Sequence, residues 1–238
     1  MSVEKDKSKL HKLSLKGSSK LVAEFFEYSI NTILFQRGVY PAEDFTAVKK
    51  YGLNMLVSSD DQVKAYIKRI MSQLNKWMVG GKISKLVVVI TNKETGENVE
   101  RWQFDVRQWW NALGASLMQE QVQIFGKAAR GKDSKTSADK ENADPGVEPP
   151  PEKTEKEIQD EIQSIFRQVT ASVTFLPLLD GNCTFNVLVY ADATSDVPME
   201  WVDSDAKEIK NGEKVQLRSF STSNHRVDTL VSYRLASD

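Results

Sequence analysis

Residues 85–106, KLVVVITNKETGENVERWQFDV, contain the pattern that decides the fold class of this chain. The continuous apolar run at 86–90 has the length and β-branched composition of a buried strand. The segment from Asn92 is rich in turn-forming residues, and apolar and polar residues then alternate, which predicts a second strand from Val99 to Val106. Two strands joined by so short a turn predict an antiparallel hairpin.

Three long stretches with helical spacing of apolar residues surround this hairpin. Each begins at residues whose side chains can accept hydrogen bonds from free N–H groups, and the first two end at glycine. The predicted helices run from Ser18 or Ser19 to Gly38, from Ser58-Ser-Asp-Asp to Gly80-Gly81, and from Thr154 to Ala171. A short helix is also predicted from about Pro41 to Lys50, followed by a short strand over 53–57.

The remaining predicted strands lie in the C-terminal part of the chain. The strand predicted from Ser172 to Leu179 is interrupted by Pro177, and because proline cannot donate a hydrogen bond, we expect a free edge there. Further strands are predicted over 182–190, 214–221 and 226–235. Three long helices against a mainly antiparallel sheet make an α+β domain.

The composition argues against several classes of protein. The 238 residues carry 32 Lys and Arg against 33 Asp and Glu, a net charge of −1, which leaves no basic surplus for direct nucleic-acid binding. One cysteine, Cys183, and two histidines, His11 and His225, are too few for a zinc site of the usual kind or for an internal disulfide. No apolar run is long enough to span a membrane and the N-terminus is charged, so a soluble intracellular protein is expected.

Residues 126–152 contain no aromatic residue and four of the seven prolines. We expect a disordered loop, because such a segment buries too little apolar surface to fold. Its first residues, GKAARGKD (126–133), nearly match a phosphate-binding loop, but Asp133 stands where a hydroxyl is required. Since no nucleophile–base pair is evident elsewhere, neither an enzyme nor a cofactor is expected, and a nucleotide-binding enzyme is the weakest alternative.

The function is suggested by motifs that occur in order along the chain. They resemble those of the HORMA-domain spindle assembly checkpoint proteins of the mitotic-arrest-deficient type, the second member of that series. The motifs are LVAEFF (21–26), ILFQRGVYP (33–41), KYGL (50–53), LVVVI (86–90), ERWQFD (100–105), IQDEI (158–162), IFRQVTA (165–171), VTFLPLL (173–179) and LRSFST (217–222). The resemblance covers about residues 13–235 apart from the loop, and implies a flexible N-terminus at 1–12 and a single HORMA domain at 13–238.

The resemblance implies a mechanism of peptide capture. Such proteins take up an extended peptide as an added β-strand and enclose it with a mobile C-terminal segment, the safety belt, here residues 191–238. Neither face of the final strands is uniformly apolar, so their position is weakly specified, in keeping with the open and closed states of this family. The capture edge is expected at Val173, Phe175, Leu176 and Leu178, and belt contacts at Trp102, Trp201, Leu217, Phe220 and His225.

The resemblance also implies an ion pair between Arg37 and Glu100 that ties the first helix to the hairpin. An exposed ion pair that contributes little stability is the alternative. Without the resemblance, Trp102 and Phe175 would both be interpreted as core residues.

Two further surfaces are implied for protein partners. One joins an open molecule to a closed one, and the other is an N-terminal segment engaged by an AAA+ remodelling ATPase. The surface for self-association comprises Arg167, Gln168 and Phe175. The segment for the ATPase includes Lys12 and Leu13. Other implied partners are the WD40-propeller activator of the anaphase-promoting complex, a kinetochore-anchored coiled-coil receptor and a BUB-related, kinase-like checkpoint protein. The implied location is the nucleus, nuclear envelope and kinetochores in mitosis, and also the cytoplasm.

A KEN motif, Lys140-Glu141-Asn142, followed by Pro145, lies in the predicted loop. The propeller activators of the anaphase-promoting complex recognise such motifs. Recognition by these activators is one interpretation, and a chance match is the other.

Residues 106–121, VRQWWNALGASLMQEQ, stand where the family has a polar loop. Removing these 16 residues would join Asp105 to Val122 in a continuous strand. Val codons begin with GT and a Gln codon can end with AG, which are the boundary dinucleotides of an intron. A retained intron and a genuine insertion both remain open, and transcript sequencing decides between them.

The main alternative function is another HORMA role, the accessory subunit of a translesion DNA polymerase. It would capture peptides in the same way. The strings ERWQFD (100–105) and FLPLL (175–179) favour the checkpoint branch.

Overall fold

A computed structural model describes residues 14–109, 153–192 and 195–235. Within these ranges the chain forms three α-helices and eight β-strands. The helices are α1 (Leu15–Gln36), α2 (Asp61–Val79) and α3 (Glu155–Ala171). The strands are β1 (Phe45–Lys50), β2 (Leu53–Ser58), β3 (Ile83–Asn92), β4 (Asn98–Gln108), β5 (Cys183–Ala191), β6 (Glu213–Gln216), β7 (Phe220–Ser221) and β8 (His225–Tyr233).

The three helices begin at side-chain caps. Asp60 accepts hydrogen bonds from two N–H groups of α2, and Thr154 forms a reciprocal capping box with Glu157 at α3. At α1 the predicted cap is wrong, because Ser14 accepts from Gly17 N at 3.1 Å and the helix begins at Leu15. Ser18 and Ser19, the predicted caps, are buried inside the helix.

The helix predicted from Pro41 to Lys50 is also wrong. Only Ala42–Asp44 is helical, as a single 3₁₀ turn, and Phe45–Lys50 is strand β1, paired antiparallel with β2. Tyr51 and Gly52 connect the strands with φ values of 50° and 68°. Two consecutive residues with positive φ form the kind of tight turn that joins twisted antiparallel strands.

A six-stranded sheet carries the helices. Its strand order is β5-β3-β4-β8-β6, with β7 paired to β8, and every pairing is antiparallel. Phe25 of α1 is fully buried against it, and its ring contacts Phe104 on β4, Phe166 on α3 and Phe220 on β7. The predicted α+β architecture, three helices on an antiparallel sheet, is confirmed.

The predicted strand over residues 172–179 is wrong. Ser172–Thr174 forms a 3₁₀ turn that continues α3, and the Ser172 hydroxyl donates to Val169 O at 2.6 Å. Pro177 O accepts a hydrogen bond from the Arg37 guanidinium. This segment is therefore held by the end of α3 and by the side chain of Arg37, which directly follows α1, and it provides no sheet edge.

Strand β4 extends three residues into the segment 106–121. Residues Val106, Arg107 and Gln108 pair with Val227, Arg226 and His225 of β8. The remainder of that segment, from residue 110, and the predicted loop at 126–152 lie outside the described residues. None of the described helices has the length and apolar character needed to cross a membrane.

Candidate functional site

The outer side of β5 is an open sheet edge in the part of the chain that the structure describes. β5 stands at the end of the sheet and pairs only with β3. Val187 N–H donates to the Tyr66 hydroxyl at 3.3 Å, so this peptide group points away from β3. Because the N–H and C=O groups of an antiparallel strand alternate between its two sides, those of Phe185, Val189 and Ala191 also point outward. We call these four outward-facing residues the β5 edge.

The chain beyond β5 runs beside this edge. We call residues 195–212 the crossing segment. Its start is fixed to the end of α2, where Trp77 Nε1 donates to Asp196 O at 3.0 Å. The rings of Trp77 and Trp201 also meet edge to face, with centroids 5.1 Å apart. The predicted belt residue Trp201 is therefore a contact between the crossing segment and α2.

Two cavities separate the crossing segment from the β5 edge. They have volumes of about 400 and 180 Å³ and share a wall formed by residues 201–204. The opposite wall consists of residues 186–190 of β5, and Tyr66, Arg69 and Ile70 of α2 close one end. Together they form a channel along the open backbone edge, which is the arrangement that strand addition needs.

The wall of this channel on the crossing segment is acidic. Glu200, Asp203 and Asp205 line it, whereas Arg69 is the one basic residue among the lining side chains. A hydrogen bond from the Lys207 ammonium holds the pKa of the exposed Asp205 below its usual range. A ligand in the channel would therefore meet carboxylates along the side opposite β5.

Arg101 of β4 holds the crossing segment where it passes over the sheet. Its guanidinium donates from Nε to Ala206 O at 3.2 Å and pairs with Glu208 at 3.4 Å, while Gln103 accepts from Nη1. Arg101 is only 1% exposed, although it lies on the sheet face opposite the Trp102 and Phe104 core positions. The segment covers it and continues through the buried Ile209 into β6. The crossing segment thus passes from one edge of the sheet to the other.

The C-terminal strands extend the sheet beyond β4, because β8 pairs with β4, and β6 and β7 pair with β8. Trp102 is fully buried and lies opposite Val231 of β8 in the register. Leu217 is buried and donates from its backbone N to Thr229 O, and Phe220 is buried in the core. Trp102 therefore contacts a strand of the predicted belt, and Leu217 and Phe220 belong to the belt themselves.

His225 forms a buried polar network between β8, α1 and β4. Its Nδ1 lies 2.6 Å from the Ser18 hydroxyl, and its Nε2 lies 3.0 Å from Gln108 Nε2. The same Gln108 amide nitrogen donates to Met78 O, which orients it as a donor, so His225 Nε2 accepts and Nδ1 carries the proton. Burial lowers the pKa of His225 to about 4, so the ring is neutral at pH 7.

Arg37 and Glu100 form a buried ion pair, with 2.8 Å between Nε and Oε2. Trp102 Nε1 also donates to Glu100 Oε1 at 2.6 Å. Burial raises the pKa of Glu100, and the Arg37 charge opposes this effect. The predicted pair is present, and the alternative of an exposed pair is wrong because both side chains are almost fully covered.

The other predicted site residues do not meet at the channel. Val173 and Phe175 are about 40% exposed and Leu178 is almost fully exposed, whereas Leu176 is buried. None of these four belongs to a strand, because residues 172–179 form a turn and an extended connection. They cannot offer the sheet edge that was expected of them.

Of the residues implied for self-association, Arg167 is exposed on α3. Gln168 accepts from Arg218 N at 2.7 Å and so joins α3 to the loop between β6 and β7. The Phe175 ring lies 6.1 Å from Tyr233. Lys12, Leu13 and the KEN motif at 140–142 lie outside the described residues. No group of side chains in the described ranges is arranged to hold a metal ion.

Sequence reasoning missed the role of Tyr66, which lines the channel, and the roles of Trp77 and Arg101, which hold the crossing segment. The two aromatic residues lie in the apolar stripe of α2, where a core role is the ordinary interpretation. Arg101 occupies a polar position of an alternating strand, which usually faces water. A single sequence gives no signal that a later segment covers these side chains.

Known proteins share this fold and much of the sequence. The HORMA domain family matches residues 18–225. The "Mitotic spindle checkpoint component mad2" of Schizosaccharomyces pombe is 54% identical over 222 residues, which cover 93% of this chain and 94% of that protein. The human "Mitotic spindle assembly checkpoint protein MAD2A" is 42% identical over 223 residues, covering 94% and 93%. A chain of the crystal structure of the mitotic checkpoint complex matches with a TM-score of 0.71 and 50% identity, covering 92% of this chain and 99% of that one.

Proposed function

Because the chain belongs to the HORMA-domain family and, within it, to the mitotic spindle checkpoint components, we propose that it acts as a peptide-capturing conformational switch. Its ligand is an extended segment of the activator of the anaphase-promoting complex, or of a kinetochore-anchored coiled-coil receptor. The segment adds to the sheet as a strand, the belt closes over it, and anaphase is delayed.

One observation carries this proposal: within the described residues no strand pairs with the β5 edge, and the crossing segment runs beside it. Unpaired main-chain groups are the usual template for strand addition, in which backbone hydrogen bonds give affinity and side-chain cavities give selectivity. The channel offers both, since the outward groups of Val187 and Val189 line it and two cavities lie beside them.

The position of the belt supports assignment of this arrangement to the closed state. Strand β8 occupies the edge of β4 and β6 pairs with β8, so within the described residues no strand covers β5 and a ligand can pair with it. In the open state the C-terminal strands would leave β4 and occupy the other edge of the sheet. Two packings of one segment need differ by only a few kcal/mol, so ligand binding can decide between them.

The acidic wall of the channel indicates the chemistry of the ligand. Glu200, Asp203 and Asp205 favour a peptide with lysine or arginine near the captured strand. Binding should therefore weaken as the salt concentration rises, and replacing basic residues of the peptide should slow association.

We further propose the partners and location that the family implies. Beside the activator and the receptor, these are a BUB-related checkpoint protein, an AAA+ remodelling ATPase and a second copy of the chain in the other state. The protein would act at kinetochores and the nuclear envelope, and also in the nucleus and cytoplasm. It would act by binding, without catalysis, as expected of relatives that are named as checkpoint components.

The decisive test measures capture of overlapping synthetic peptides from the activator and the receptor. Anion exchange or NMR of the full chain should resolve two slowly exchanging species that become one when a peptide binds. Deleting residues 229–238, which removes half of β8, should abolish peptide retention. A single species that no peptide changes would contradict the proposal.

A point variant tests the β5 edge itself. Val189→Pro removes one outward N–H group but none of the hydrogen bonds to β3, so it should weaken capture in a folded protein. Val189→Ala is the matched control, because it shortens the side chain and keeps the N–H group. Equal affinity of the two variants would place the ligand elsewhere.

A further inference from the structure

Tyr66 of α2 occupies one of the backbone groups that a captured strand needs. Its hydroxyl accepts from Val187 N–H and donates to Asn186 Oδ1, both at 3.3 Å. The Tyr66 ring packs edge to face on Phe185, with centroids 5.5 Å apart. These contacts bring a side chain of α2 onto the outward face of an edge strand, where a neighbouring strand would otherwise lie.

The hydroxyl and a ligand backbone compete for the same donor. In an antiparallel or a parallel ladder, an outward N–H group bonds to a carbonyl of the added strand. The Tyr66 oxygen already bonds Val187 N–H from that side, and one N–H group makes one good hydrogen bond. A strand that pairs along the full β5 edge must therefore displace it.

We propose that the Tyr66 hydroxyl substitutes for a ligand carbonyl in the empty protein and leaves Val187 when a peptide is captured. This inference rests on the proposed function. It makes Tyr66 a residue that controls entry to the channel, and it makes Val187 the point where the ligand must present a free main-chain carbonyl.

The surroundings of Tyr66 suit such an exchange. Both of its hydrogen bonds are longer than usual, which is about 2.9–3.0 Å for N–H···O and about 2.7–2.8 Å for O–H···O, so they are weak and readily replaced. The larger cavity, of about 400 Å³, lies beside the ring and gives the hydroxyl a position to move into. While the site is empty, the contact keeps an edge N–H group satisfied, and exposed edges without such protection tend to pair with other chains.

The test compares Tyr66→Phe with the unchanged full-length protein. The probe is the tightest-binding peptide from the overlapping set used above. Removal of the hydroxyl abolishes a contact that exists only in the empty protein, so Tyr66→Phe should bind the peptide about two- to tenfold more tightly. The lower end is expected, because the bonds are long.

Tyr40→Phe is the matched control. Tyr40 also packs edge to face on Phe185, but its hydroxyl makes no hydrogen bond to β5 within the described residues. The Tyr40→Phe variant should bind the peptide with the same affinity as the unchanged protein. Amide hydrogen exchange at Val187 gives a second measurement: exchange in the empty protein should accelerate in Tyr66→Phe and be equally slow in both complexes.

The outcomes separate this inference from the proposed function. Unchanged or weaker binding by Tyr66→Phe would overturn the inference, since weaker binding would make the hydroxyl a direct ligand contact. If the unchanged protein binds none of the peptides, the proposed function fails first. Tighter binding restricted to Tyr66→Phe, with faster Val187 exchange, supports the displacement of the hydroxyl.

Discussion

Arg101→Lys should release a captured peptide faster than the unchanged protein. The substitution keeps a positive charge on a long side chain but removes the Nε–H group that bonds Ala206 O. A hydrogen bond from a charged donor contributes about 1.5–3 kcal/mol. The ion pair with Glu208 contributes only about 0–1 kcal/mol, since that carboxylate is 57% exposed, and the lysine ammonium keeps the charge that it needs. If release requires the crossing segment to leave Arg101, the dissociation rate should rise roughly 10- to 100-fold.

The assay is the dissociation rate of a fluorescent peptide from immobilised full-length protein. Arg107→Lys is the control, because its side chain is 71% exposed and pairs with Asp228 away from the crossing segment. That variant should change the rate less than about twofold. A rate for Arg101→Lys within twofold of the unchanged protein, with the circular dichroism spectrum preserved, would refute the reasoning. The peptide would then leave without separation of Arg101 from Ala206.

Three further predictions concern the stability of the belt and the core. Burial lowers the pKa of His225 to about 4, so the stability that its neutral ring contributes is complete above the unfolded pKa of about 6.5 and is lost as the pH falls toward 4. The free energy of unfolding in urea should therefore fall by about 2–3 kcal/mol between pH 7 and 4.5. His225→Gln should reduce this fall. Phe220→Ala should lower the free energy of unfolding by about 3–5 kcal/mol, because it empties a fully buried position in the core; a loss below 1 kcal/mol would contradict that placement. Arg37→Met leaves Glu100 buried without its counter-charge and should lower the free energy of unfolding by about 3–5 kcal/mol. Adding Glu100→Gln in the same chain should restore most of this loss, and additive losses in the double variant would count against a coupled pair.

The elements with clear periodicity were predicted correctly from the sequence. The apolar stripes of the three long helices and the hairpin of β3 and β4 follow from local residue spacing, so they can be recognised without knowledge of the tertiary structure. The helix predicted over Pro41–Lys50 failed because Tyr51-Gly52 was not recognised as a two-residue turn. The strand predicted over residues 172–179 failed because Ser172–Thr174 continues α3 as a 3₁₀ turn and Arg37 bonds the Pro177 carbonyl.

The candidate site was predicted only in part. The C-terminal strands of the predicted belt followed from the family motifs, but residues 172–179, where the capture edge was predicted, form no strand. Strand order decides which strand stands at an edge, and that order results from pairing across long sequence separations. The 182–190 strand was predicted, yet nothing in its residues distinguishes an end strand from a central one. The roles of Tyr66 and Arg101 depend on a segment more than a hundred residues away.

The path of the crossing segment has a mechanical consequence. The segment is covalently joined to β5 at one end and to β6 at the other, and the sheet completes a closed loop through β8, β4 and β3. A polypeptide threaded through this loop can be released in two ways. It can slide out along its own length, or β8 can separate from β4 and open the loop. If globular domains flank the threaded stretch on both sides, sliding is blocked. The lifetime of such a complex would then depend on how often β8 detaches, and two ligands of very different intrinsic affinity would be released at similar rates.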